Sequence, residues 1–347
     1  MSGQDDALVD VDRLTRWMDE NGLPGDGQPL EIVPIAGGAS NEILELRRGG
    51  QRMVLRRPPR NVPEGRNETM LREYRVLAAL ADTDVPHARV LGSCDDASVA
   101  GAWFYVMDYV EGWSPISTPD WPPPFDTDLE ARRGLAYELV DGIAKLAQVD
   151  WQARGLEGFG RPDGFHDRQV DRWLAHLSQF AFRDIPGIDV AANWLRRHRP
   201  RVYEPGIIHG DYQFANVMFR NGAPARLAAI VDWEMATVGD PLLDLAWAVG
   251  GWPDEGGERA VVGYVDYTGM PNRDELLEYY ARTSGRSVDE FDYYVILARF
   301  KLAIVLEGGY ARWVAGQADN EKMGAFGDVV LDLAQGAGDL ARTTVLT

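Results

Sequence analysis

Several shortages narrow the chemistry open to this chain. Its single cysteine, Cys94, excludes an intrachain disulfide framework and a multi-cysteine metal site. Asp95 and Asp96 follow it, and thiolate formation needs electropositive surroundings, so Cys94 reads as structural rather than nucleophilic. Lysine is scarce: Lys145, Lys301 and Lys322 are the only ones among 35 basic residues, and none precedes Lys145. No apolar run reaches the roughly 18 residues of a membrane-spanning helix. The acidic first residues lack the basic-then-apolar pattern of a secretory signal, so a cytoplasmic protein is expected. Positive charge is in deficit, with a net charge of −19. That argues against nucleic acid and anionic membrane as partners, because both are bound through basic patches. Acidity would suit a cationic ligand, but a solubilising surface accounts for it without one. The nucleophile-elbow, zinc-protease and Walker-type lysine signatures are also missing.

What is present is a length of 347 residues, enough for two lobes with a sizeable core. Leu8, Val11, Leu14, Trp17 and Met18 recur at helical spacing and open the chain with an amphipathic helix. Strand-like runs follow at Leu30–Ile35, Ile43–Arg47 and Arg52–Arg56, joined by Gly-rich turns at Ala36–Asn41 and Gly49-Gly50. A helix over Glu64–Leu80 and two more strands, Ala88–Leu91 and Trp103–Asp108, complete a small sheet lobe. The connector Asp108–Gly112 and the proline-rich stretch to Pro124 mark the boundary, giving lobes at 1–108 and 109–347. Helical patterns then dominate: Leu129–Val149, His166–Phe180, Val190–Tyr203, Arg259–Gly263, Arg273–Ser284, Val288–Trp313 and a last helix from about Lys322. The fold class is α+β: a five-stranded antiparallel sheet lobe and a larger, mainly helical lobe.

The chemistry concentrates in Ile207–Phe219. An apolar pair leads into His209-Gly210-Asp211, and Asn216 follows before another apolar run. Downstream, the run Leu227–Val231 ends in Asp232. An Asp, an Asn and a second Asp, each beside a short strand, can put one base and two metal ligands at a single point, as phosphoryl transfer requires. Asp211, next to a small glycine, is the candidate base. Asn216 and Asp232 offer hard oxygen donors suited to Mg2+. His209 reads as a packed residue that supports the loop.

The segments HGDYQFANVMF and IVDWEMATVGDPLLDLAW resemble the aminoglycoside phosphotransferase family, relatives of the protein kinases. The wording is close to the branch found as phosphotransferase domains beside acyl-CoA dehydrogenases. The resemblance runs from about Leu30 to about Phe300. It implies a bilobal kinase-like fold and transfer of the γ-phosphate of ATP, or GTP, to a hydroxyl of a small molecule. It makes Asp211 the catalytic base and gives Mg2+ to Asn216 and Asp232. Gly37, Gly38, Ala39, Ser40 and Asn41 stand where the phosphate-covering loop belongs, and glycines there let backbone N–H groups approach phosphate. The family's third-strand lysine is absent, and Arg56 takes its place, a planar fork instead of a point charge. Its helix partner would be Glu73, with Glu68 as the weaker candidate. The connector resembles the hinge, so adenine would meet the Asp108 carbonyl and the Val110 N–H. Asp240 and Asp244 read as caps or braces of the helix they begin.

Trp247, Trp252, Tyr280, Tyr310 and Trp313 are candidates to line the acceptor site. Ten acidic residues between Asp254 and Asp292 read as a solvated face, with an acidic wall for ammonium groups as the other reading. The family name points to an aminoglycoside acceptor, whereas the dehydrogenase-associated branch points to a hydroxylated acid or its thioester. A nucleotide-binding regulatory protein with little transfer activity is the alternative, motivated by Arg56. Monomer and homodimer are both open.

Overall fold

The computed structural model describes residues 8–35, 41–116, 120–253, 265–318 and 320–345. Gly37, Gly38, Ala39 and Ser40 of the expected phosphate loop lie outside the described residues, as do the expected helix Arg259–Gly263 and the acidic residues Asp254, Glu255 and Glu258.

The N-terminal region opens with α1 (Val11–Glu20), whose Asp10 side chain caps the first turn by accepting from the Arg13 N–H. Five strands follow: β1 (Leu30–Pro34), β2 (Glu42–Arg48), β3 (Gln51–Arg57), β4 (Val90–Cys94) and β5 (Phe104–Asp108). They form one antiparallel sheet in the order β1-β2-β3-β5-β4. Gly49 and Gly50, both at positive φ, close the β2–β3 hairpin in the backbone conformation that tight hairpins favour. One face of this sheet packs Leu44, Leu46, Met53, Leu55, Phe104 and Val106 against Leu14 and Met18 of α1, a cluster separate from the main core. Helix α2 (Arg66–Ala79) lies between β3 and β4 in sequence, and its Met70, Val76 and Leu77 belong to the main core. A short helix, α3 (Ala97–Ala100), precedes β5; it is too brief to leave a periodic signal. Cys94 is buried, its thiol directed at the Asp96 carbonyl and its pKa raised chiefly by burial.

Beyond β5 the chain is mainly helical: α4 (Leu129–Ala147), α5 (Phe165–Leu177) and α6 (Ile188–Arg197), then α7 (Leu242–Val249), α8 (Arg273–Ser284), α9 (Phe291–Val314), α10 (Glu321–Gly324) and α11 (Phe326–Thr343). Helix α6 stops six residues short of the expected end, ahead of Pro200, because a residue preceding proline is disfavoured in the helical region. The last helix is split in two at Ala325. From Tyr293 to Ala298 every residue of α9 is buried, the signature of a helix enclosed on all sides. No helix among the described residues is long and apolar enough to cross a membrane.

Two small antiparallel ribbons sit between these helices: β6 (Gly206–Ile208) with β9 (Thr237–Gly239), and β7 (Val217–Phe219) with β8 (Leu227–Ile230). They place the polar motif.

Candidate active site

The ribbons converge at one peptide. The Val231 N–H donates to the Asn216 carbonyl at 2.9 Å, and the Val231 carbonyl lies 2.9 Å from His209 Nε2. The end of β6, the start of β7 and the end of β8 are thereby fastened together. Those are the points that carry Asp211, Asn216 and Asp232. His209 is fully buried and does structural work, with its ring edge-on to Tyr212 and Trp233. Gly210 has φ +85, and a Cβ there would stand 2.6 Å from the Met235 carbonyl, so only glycine fits.

The Asp211 carboxylate is held from three sides. Gln213 Nε2 and Trp247 Nε1 donate to Oδ1 at 2.8 and 2.7 Å. Asn216 Nδ2 donates to Oδ2 at 2.7 Å and to the Asp211 carbonyl at 2.8 Å. With its amide nitrogen committed there, Asn216 keeps its side-chain oxygen for another partner. Asp232 sits at φ +66, one of two non-glycine residues in the left-handed region among the described residues. Such strain persists where surrounding contacts impose it, and it clusters at functional sites.

Arg56 reaches across from β3. Its Nε lies 2.9 Å from Glu73 Oε2, and its Nη2 donates to Asp232 Oδ1 at 2.6 Å. Glu73, on α2, is 1% exposed and also accepts from the Tyr105 hydroxyl at 2.9 Å. Burial pushes the Glu73 carboxyl up to about 7, against the pull of Arg56 and the Tyr105 hydrogen bond. Glu68, in the first turn of α2, is exposed. Arg66 Nη1 binds Glu234 at 2.9 Å, a second tie between α2 and the segment after β8.

At the connector, the Asp108 carboxylate pairs with Arg89 at 2.9 Å. The Asp108 N–H donates to the Arg89 carbonyl, and no described residue pairs with the Val110 N–H. Asn41 is buried just ahead of β2. Gly112 brings the backbone close to β7: a Cβ there would lie 2.7 Å from the Phe219 carbonyl.

Asp240 and Asp244 do more than start α7. Asp240 accepts from the Leu242 N–H at 3.1 Å, but its other oxygen binds the Tyr294 hydroxyl at 2.6 Å and lies 2.9 Å from His166 Nε2. Asp244 is wholly buried and accepts from the N–H groups of His209 and Gly210 at 2.5 and 2.8 Å. Its brace is therefore on the His209–Asp211 loop, not on its own helix. Burial raises its pKa, opposed mainly by His209 and those two N–H groups. Lys301, on α9, donates to the Gly210 carbonyl at 2.6 Å, so the peptides flanking Gly210 are clamped by an anion and a cation.

Asp211, Gln213, Trp247 and Lys301 share a cavity of about 540 Å³ whose remaining walls are largely aliphatic, from α7, α9 and α11. Of the aromatic candidates, only Trp247 reaches this cavity. Trp252 and Tyr280 are core, while Tyr310 and Trp313 stack on each other elsewhere. The described acidic residues between Asp266 and Asp292 do not line it: Asp266 pairs with Arg132, and Glu275 completes the cap of α8. Sequence reading missed Lys301 and the loop-holding part of Asp244. A lysine in a long helix normally points to solvent, and only its isolation inside an apolar stretch marked this one.

A five-stranded antiparallel sheet hinged to a helical part, with this polar cluster at their junction, defines a kinase-like phosphotransferase of small-molecule type. The chain belongs to the phosphotransferase enzyme family, whose family model matches residues 31–279. It is 33% identical over 334 residues to acyl-CoA dehydrogenase family member 11 of Gallus gallus, covering 92% of this chain and 42% of that protein. It thus spans less than half the length of the curated relatives it matches. Among solved structures, a Ralstonia eutropha chain assigned as an aminoglycoside phosphotransferase is 31% identical with TM-score 0.83, over 96% of this chain and 98% of that one. A thermostable mutant of the aminoglycoside phosphotransferase APH(4)-Ia, in ternary complex with ADP and hygromycin B, shares the fold at 15% identity and TM-score 0.58, over 96% and 98% of the two chains.

Proposed function

We propose that this chain transfers the γ-phosphate of ATP or GTP to a hydroxyl of a small molecule, with Asp211 as the base. The gathering of Asp211, Asn216 and Asp232 about the Val231 peptide, with Asp211 opening into one cavity, carries this reading. In a loose phosphoryl-transfer transition state the base mainly orients the attacking oxygen, and a carboxylate held by three neighbours is built to orient. Asn216 and Asp232 would hold Mg2+, which would neutralise charge on the phosphate oxygens. Two protein oxygens suit an ion that keeps most of its shell for water and phosphate. Arg56, ordered by Glu73, would meet the phosphates. The Asp108 carbonyl and Val110 N–H would meet the adenine edge, and Gly37, Gly38, Ala39, Ser40 and Asn41 would cover the phosphates. The same reading puts the lobe boundary at the 108/109 connector. The bound ADP of a structural neighbour supports nucleotide as co-substrate.

The cavity also bears on the acceptor. Its aliphatic walls fit a molecule with an apolar body, such as a hydroxylated acid or its thioester, better than a polycationic aminoglycoside. The acyl-CoA dehydrogenase relatives point the same way.

Asp211→Ala should abolish phosphate transfer while nucleotide still binds, as measured by transfer of labelled γ-phosphate and by calorimetry. Full activity in that variant would remove the assignment. The Arg56–Asp232 contact favours one rival, a nucleotide-binding regulator in which the arginine occupies a metal ligand. Tight ATP binding without turnover on any acceptor of a broad panel would support that rival.

A further inference from the structure

We propose that Lys301 reads the acceptor: its ammonium binds a carboxylate or carbonyl oxygen of that molecule, close to the hydroxyl that Asp211 orients. This rests on the phosphotransferase reading above and adds to it a specificity-determining residue.

Lys301 is 6% exposed, in the middle of the enclosed helix α9. An ammonium has three donors. One goes to the Gly210 carbonyl at 2.6 Å. The charge otherwise faces the rings of Trp247, at 4.3 Å, and Trp173, at 5.7 Å. No described carboxylate comes within ion-pair distance. Asp211 and Asp244 attract it from further off, and Arg172 on α5 repels it. Burying a cation with so little compensation is costly. The Gly210 hydrogen bond uses one donor and leaves the others to be accounted for.

The position of this side chain gives them a use. Lys301 lines the cavity into which Asp211 opens. The other cation on those walls, Arg299, is committed to the carbonyls of Gly336 and Gly250 at 3.2 and 3.4 Å. Among the described residues on those walls, Lys301 alone combines a cationic group with spare donors and a place beside Asp211. Burial lowers its pKa to about 8, as expected of an ammonium that lacks an anionic partner. An acceptor oxygen placed there would complete its shell, and an acceptor ammonium would be repelled.

The test uses three probes on the full chain with Mg2+ and a non-hydrolysable ATP analogue: β-hydroxydecanoate, the analogue with methyl in place of carboxylate, and the analogue with aminomethyl in place of carboxylate. Affinity is read by calorimetry and transfer by mass gain with ATP. Wild type should bind the carboxylate probe at least about tenfold more tightly than the methyl probe, the size of one charge-assisted hydrogen bond, and should bind the amine more weakly than either. Lys301→Met should erase that preference, and Lys301→Arg should restore part of it. Lys301→Met leaves the buried Gly210 carbonyl without its donor, so thermal melting checks its fold, and the methyl probe, whose affinity should be unchanged in the variant, separates lost recognition from a loosened loop. Equal affinity of wild type for the carboxylate and methyl probes would overturn the proposal, as would a preference that survives Lys301→Met. Binding with the expected preference but without transfer would support the role of Lys301 and count instead against the phosphotransferase reading.

Discussion

The N–H groups of His209 and Gly210 converge on the Asp244 carboxylate, and that geometry makes a sharp demand on one residue. An asparagine would keep one acceptor oxygen and turn an amide donor toward the other N–H. Asp244→Asn should therefore lower kcat about 100-fold through loss of alignment, with a smaller change in KM for nucleotide, and steady-state kinetics would show the split. Arg56 makes a different demand, since it uses two nitrogens on two carboxylates. A lysine carries its three donors on one nitrogen at a different reach and cannot reproduce the separation of Nε and Nη2. Arg56→Lys should raise KM for nucleotide about tenfold; an unchanged KM would mean that the second contact is idle. Lys301 adds a pH signature. Its ammonium is charged below a pKa of about 8 and neutral above it. Affinity for a carboxylate-bearing acceptor should therefore fall above pH 8, while Lys301→Arg should hold it. Asp211 on the loop, Asp244 on α7 and Arg172 on α5 are the charged groups facing it. At this scale the sequence carried the spacing by which Asp211, Asn216 and Asp232 are gathered about one peptide. It was opaque where a contact comes from a distant chain segment, as with Asp244 and Lys301, because nothing local marks which loop a helix will touch.

The elements that place the site tolerate little extra volume. Gly142 on α4 faces Tyr212, the neighbour of Asp211, whose hydroxyl donates to the Leu139 carbonyl at 2.9 Å. A methyl at Gly142 would run into that hydroxyl and come within 2.8 Å of Leu227 on β8. Gly142→Ala should cost about 1–3 kcal/mol, read by chemical denaturation, and should lower kcat with it. Helix α9 carries a similar dependence at its far end, where Arg183 binds the fully buried Glu307 at 2.9 and 2.6 Å. Arg183→Met would strand a buried carboxylate, a loss of about 3–5 kcal/mol. The helices were legible because their apolar periodicity is long. Their ends were less so: α6 yields to Pro200, and α10 separates from α11 without a proline or a periodicity break. The ribbons β6–β9 and β7–β8 have three or four residues per strand. Their pairing partners, far apart in sequence for β6 and β9, are set by tertiary packing.

At the scale of the whole molecule, the buried hydrophobic residues among those described fall into two clusters, and the division does not follow the change from sheet to helix. The smaller lies between α1 and the sheet, while α2 joins the larger core with the helical part. Helix α2 carries Glu73 and reaches Glu234 through Arg66, so among the described residues the α2 side of the N-terminal region is tied to the segment after β8. The architecture itself was legible because alternating and helical patterns change cleanly near Asp108. The cavity beside Asp211 was not, because its walls come largely from α7, α9 and α11, whose packing no local pattern encodes. The central claim is that Asp211, with Asn216 and Asp232 beside it, performs phosphate transfer. Its most direct test is transfer of labelled γ-phosphate from Mg-ATP to β-hydroxydecanoate by wild type and by Asp211→Asn, with nucleotide affinity measured on both. The account predicts one phosphate gained per acceptor with wild type, a loss of at least about a thousandfold with the variant, and similar nucleotide affinity in the two. Transfer by the variant at the wild-type rate would contradict it.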